Sequence, residues 1–207
     1  MIKYLIILVV FNSFAVCAQS KSERYAPDHS KYIKIMEEPG NPLPGNPLLI
    51  LNYFAEKEGS YLFFLNEVKA KVNSSLSESP THLYAGLYLE DHGGVLERVT
   101  FKDFAGPLSQ PNYLLKYCIA DDVDDNKSPE FYLTYFEESD GLDAKPLKVI
   151  IYVKKDKIFV KSKLTAWIPF QPENRLKIEK DENFKKLPQN IQKKANELLN
   201  KAQDELM

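Results

Sequence analysis

The sequence predicts an α+β fold: an antiparallel β-meander sheet with a C-terminal amphipathic helix packed on it. Three observations carry this. From residue 82 to residue 167, segments of alternating apolar and polar residues follow one another across short turns, as half-buried strands do. One of those turns, "DHGG", ends in Gly93 and Gly94, which take the positive φ angles of a tight hairpin at no steric cost. After residue 188 the apolar period lengthens from two to about 3.6, the period of a helix with one buried stripe.

Taken in order, residues 1–18 read as a signal peptide. Lys3 precedes an apolar stretch, and Val16, Cys17 and Ala18 offer fairly small residues for cleavage after Ala18. The expected destination is outside the cytoplasm, in the periplasm or at the cell surface. The run Tyr4 to Val10 is cut by Asn12 and Ser13, too short for a stable membrane span. Lipidation of Cys17 is the lesser alternative, because Val16 is branched where a lipoprotein signal places a small residue. Residues 19–47 carry Pro27, Pro39, Pro42, Pro44 and Pro47 and predict an irregular N-terminal arm. Residues 48–207 form the predicted β-rich domain.

Within that domain, "LLILNYFAEKEGSYLFFLNEVKAKV" places two apolar runs around Glu58-Gly59 and predicts a hairpin, with a helical second half as the alternative. "NSSLSESPT" is a polar break, and its Asn73-Ser74-Ser75 reads as a solvated loop rather than a glycosylated site. "HLYAGLYLE" and "VLERVTFKDF" form the hairpin across Gly93-Gly94. "NYLLKYCIA", "FYLTYFEE", "LKVIIYV" and "IFVKSKLTAW" complete a meander of about six strands, neighbours in sequence pairing antiparallel. In the helix 188–206, Ile191, Ala195, Leu198, Leu199, Ala202 and Leu206 share one stripe. Its other face mixes Lys with Glu197, Asp204 and Glu205, which suits packing on the sheet better than lying on an anionic membrane.

A chain of 207 residues suits one domain, and 44% hydrophobic with 27% charged residues is an ordinary globular composition. A net charge of −2 from interspersed signs excludes nucleic acid as a partner on electrostatic grounds. After cleavage only Cys118 remains, so no internal disulfide can form, and that thiol is expected as a small buried hydrophobe.

The stretch "DVDDNKSPE" carries the most specific chemistry. Asp122, Asp124, Asn126, Ser128 and Glu130 put oxygen side chains at alternate positions, as a loop that wraps a calcium ion does. A helical calcium hand is excluded: its twelfth position, which needs a bidentate Glu, is Leu133, and the residues that follow read as a strand. Lys127 stands where such loops carry Gly, at a cost of about 1 kcal/mol or more if its backbone turns left-handed. Five acids between residues 121 and 130 repel one another, which a divalent ion would relieve. Two readings stay open: a weak calcium site of the millimolar class, or an ion-free acidic turn.

With its flanks, "DDVDDNKSPEFYLTYFEESDGLDAKPLKVIIYVKKDKIFVKSKL" and "ENFKKLPQNIQKKANELL", this loop resembles a family of small exported bacterial proteins assigned to surface-polysaccharide biosynthesis. The resemblance covers roughly residues 82 to 200. Asp122, Asp124, Asn126 and Glu130 match the family's Asp-rich loop, and Ser139, Asp140, Leu147 and Lys148 match the next segment. Lys161 and Ser162 replace an Arg-Gly pair. What the resemblance implies is a link to the cell envelope and its polysaccharide, with no catalytic motif to carry over.

No nucleotide fingerprint, phosphate loop or serine elbow occurs, and His29, His82 and His92 lack metal-ligand spacing. A non-enzymatic module that binds glycan or another envelope protein is therefore preferred over an enzyme acting on envelope polysaccharide. The enzyme reading requires a cleft with converging carboxylates, for which His92 with Glu90 and Asp91 is the best cluster, although a solvated hairpin tip is the preferred explanation of those three residues. The binding reading requires an exposed aromatic strip. In the strand after the acidic loop, Phe131 and Tyr135 point one way and Tyr132 and Phe136 the other, so at least one side is core.

Overall fold

The computed structural model describes residues 22–69, 81–104, 106, 109–171 and 176–207. The signal segment, Cys17 and Asn73 lie outside the described residues. Strand β1 (Ser22–Tyr25) and helix α1 (Ser30–Glu37) lead into β2 (Asn46–Ala55), β3 (Gly59–Lys69), β4 (Thr81–Asp91) and β5 (Gly94–Phe104). These five strands form one antiparallel sheet in the order β1-β2-β3-β4-β5. Then come β6 (Ser109–Tyr113), a 3-10 turn at Leu115–Tyr117, β7 (Ile119–Asp121), β8 (Glu130–Ser139), β9 (Lys145–Lys155), β10 (Ile158–Ile168) and β11 (Lys177–Lys180). They form a second sheet, β11-β10-β9-β8-β6, with β7 also paired to β8. Helices α2 (Glu182–Lys185) and α3 (Gln189–Leu206) close the chain. The antiparallel strands with a C-terminal helix packed on them match the predicted α+β class.

The single predicted meander is instead two sheets, because an alternating strand does not reveal which sheet it joins. Two sheets face each other, and their inner faces share one core, in which the rings of Tyr61 and Phe63 meet Phe131 across the layers at 5.8 and 5.6 Å. Such edge-on ring contacts add to area burial, itself worth about 1.5–3 kcal/mol for each fully buried large apolar side chain. Helix α1 covers the outside of the first sheet through Ile35 against Ile50, Leu62 and Phe64. Helix α3 covers the outside of the second, burying the predicted Ile191, Ala195, Leu198, Leu199 and Ala202 against Tyr132, Val149 and Ile151. The layers run α1, sheet, sheet, α3.

Two sequence expectations are corrected. The arm 19–47 is not wholly irregular: β1 pairs with β2 and α1 occupies its middle. Pro punctuation hid both, since Pro27 precedes α1 and Pro39 follows it. "NYLLKYCIA" is not one strand either, because the 3-10 turn interrupts it and leaves Cys118 between β6 and β7. Gly45 shows how tightly the arm rests on the sheet. Its φ is +80°, and a Cβ there would lie 2.2 Å from the Glu67 carbonyl oxygen.

Candidate metal centre

The acidic stretch is the bend from β7 to β8, and both flanks are strands. Two residues in it take the left-handed conformation, Asp125 at φ 55° and Lys127 at φ 70°. The second is the position where the sequence anticipated an awkward backbone angle. The loop is folded by its own side chains. Asp122 accepts from the amides of Asn126 (3.0 Å) and Lys127 (3.0 Å), Asp124 from Asn126 (3.3 Å), and the Asn126 side chain from the Ser128 amide (2.7 Å). Asx turns of this kind curl the backbone and hold carboxylates toward the inside of the bend.

Asp122, Asp124 and Glu130 come together, each offering a carboxylate oxygen within 4.8 Å of the others. Glu130 is fully buried at 0% exposure. Its Oε2 accepts from the Val123 amide at 2.9 Å, while its Oε1 has no partner. The Ser128 hydroxyl oxygen is buried and partnerless too. Burial first, and then the charges of Asp124 and Asp122, push the Glu130 carboxyl up to about 8, against the pull of the Val123 hydrogen bond. Three carboxylates gathered in this way form an all-oxygen donor set, which suits a hard cation such as calcium. Of the predicted ligands, Asp122, Asp124 and Glu130 are brought together. Ser128 and Asn126 are not in that group: the Ser128 hydroxyl is buried without a partner, and the Asn126 side-chain oxygen accepts from the Ser128 amide. The Lys127 side chain leaves the loop and pairs with Glu56 at 3.5 Å in solvent.

Sequence reasoning missed what surrounds the loop. From β2, the Tyr53 hydroxyl is pushed up to about 12, by burial and then by Asp122. From α3, Asn190 donates to the Val123 carbonyl (3.1 Å) and Lys194 pairs with Asp121 (2.9 Å). These contacts cross more than 60 residues of chain, and no local pattern encodes them. Cys118 is fully buried as expected, and burial pushes its thiol up to about 12, which leaves it protonated and inert.

The second acidic cluster lies at the β4–β5 hairpin. Glu38, Pro39, Glu90, Asp91, His92, Gly93 and Gly94 line an open concavity of about 480 Å³. His92 contacts Asp91 at 2.5 Å, with its side chain 95% exposed. The aromatic strand offers no exposed strip: Phe131 and Tyr135 lie between the sheets, and Tyr132 lies beneath α3.

No helix among the described residues is long and apolar enough to cross a membrane. No family model, curated protein or solved structure matches the chain.

Proposed function

We propose that this chain is a non-enzymatic module of the cell envelope whose β7–β8 loop holds a calcium ion. The observation that carries the ion is Glu130: a fully buried carboxylate with one oxygen lacking a partner, aimed at two further carboxylates. Burial makes the charged form of this group costly and favours its proton, and a divalent cation that takes the proton's place supplies the same compensation while bridging to Asp122 and Asp124. With Lys127 in place of Gly and Asn126 already engaged, the site belongs to the weak, millimolar class of extracellular modules. Export to the periplasm or cell surface, where calcium is abundant, agrees with that affinity. The resemblance over residues 82 to 200 supports an association with surface polysaccharide, with glycan or another envelope protein as the partner class, held by a surface other than the buried aromatic strand β8. Calorimetric titration of calcium into the chelated protein tests the ion directly. Heat of binding that disappears in Glu130→Gln and Asp122→Asn supports the site, and no heat at several millimolar removes it.

An enzyme acting on envelope polysaccharide is the second reading, favoured by the concavity at His92. Incubation with envelope polysaccharide, with His92→Ala alongside, decides it. New reducing ends made by the wild type and not by the variant would establish catalysis.

A further inference from the structure

The geometry points to the cation loop being a clasp for helix α3: ion binding and docking of the helix N-terminus on the second sheet are one coupled event. This rests on the calcium reading above and extends it to what the ion controls.

Val123 carries the coupling. It sits between the ligands Asp122 and Asp124, and each of its parts is committed to a different structure. Its amide is held by the third ligand, Glu130, at 2.9 Å. Its carbonyl is held by Asn190 in the first turn of α3, at 3.1 Å. Its side chain packs into the apolar cluster that α3 covers. Two residues earlier, at the end of β7, Asp121 pairs with Lys194 one turn further along the helix. An ion that fixes Asp122, Asp124 and Glu130 around a common centre therefore also fixes the peptide to which α3 is fastened. Without the ion nothing draws Asp122, Asp124 and Glu130 to a common centre, and the mutual repulsion of Asp122 and Asp124 displaces Val123, which lies between them, away from Asn190. Besides Asn190 and Lys194, the first turns of the helix dock through the buried Ile191, Ala195 and Leu198. The ion is thus placed to decide whether the first turns of α3 are closed or frayed.

Coupling of this kind is reciprocal, so weakening the helix attachment weakens the ion. Amide exchange across residues 191–196, followed by mass spectrometry in chelator and in calcium, tests the clasp on the full chain. If opening the helix end releases the ion, calcium at about ten times its dissociation constant slows exchange there about elevenfold. Asn190→Ala should lower calcium affinity several-fold in the same calorimetric titration, while Asp204→Ala, at the far end of the helix, leaves it unchanged. Calcium that binds with unchanged exchange at residues 191–196 and unchanged affinity in Asn190→Ala overturns the clasp and leaves the metal centre standing. Absence of any calcium binding removes both.

Discussion

Two bends of the molecule gather carboxylates, and they do so under opposite conditions. At the β4–β5 hairpin, Glu90 and Asp91 stand beside an exposed His92 around an open concavity. At the β7–β8 bend, Asp122 and Asp124 converge on a Glu130 that water cannot reach. Water screens and hydrogen-bonds the first group, so it asks for nothing further. The second group has lost its hydration, and one of its oxygens has no replacement. What separates a candidate ligand set from a solvated turn is therefore the burial of one member. The number of acids does not separate them.

The largest effect that can break this contrast is thermal. Calcium at about ten times its dissociation constant adds ~1.4 kcal/mol to the folded state. For a chain of this size that raises the melting temperature by roughly 3–6 °C. The gain should vanish in Glu130→Gln and persist in Glu90→Gln. A rise that survives Glu130→Gln would move the ion elsewhere.

The pH profile of the chelated protein sharpens the same contrast. Glu130 keeps its proton up to about pH 8 when folded, against an ordinary value of 4.5. Between those values the folded state holds a proton that the unfolded state has released, so stability falls as pH rises from about 4.5 to 8. Melting temperatures measured across that window in chelator should fall more steeply in the wild type than in Glu130→Gln. Equal slopes would refute the burial argument.

Smaller effects complete the series. Lys127→Gly removes a side chain from a left-handed position and should stabilise by roughly 0.5–1 kcal/mol in denaturant melts, with or without calcium. The exposed Lys127 pair with Glu56 adds little to the balance. At the β4–β5 hairpin, His92→Ala should change stability by no more than about 0.5 kcal/mol, as befits a solvent-exposed residue.

Local patterns made much of this legible. Alternation revealed β4, β5, β8, β9 and β10, the 3.6-residue period revealed α3, and the oxygen spacing revealed Asp122, Asp124 and Glu130. Elements whose stability comes from distant partners were hidden. Strand β1 has four residues and depends on β2, and β11, also four residues long, depends on β10. The burial of Glu130 could not be read because it is set by the layers around the bend. Val123 looked like a spacer between ligands, and its link to Asn190 depends on where α3 comes to rest.

The order of the strands has its own consequence for how the chain assembles. Residues 22–104 supply every strand of one sheet and residues 109–180 every strand of the other, so each half completes its backbone pairing without borrowing from its sibling. Yet each half presents a row of rings that only the opposite half can shelter. Severed and expressed singly, the two fragments should clump; produced together, they should find one another and rebuild the whole.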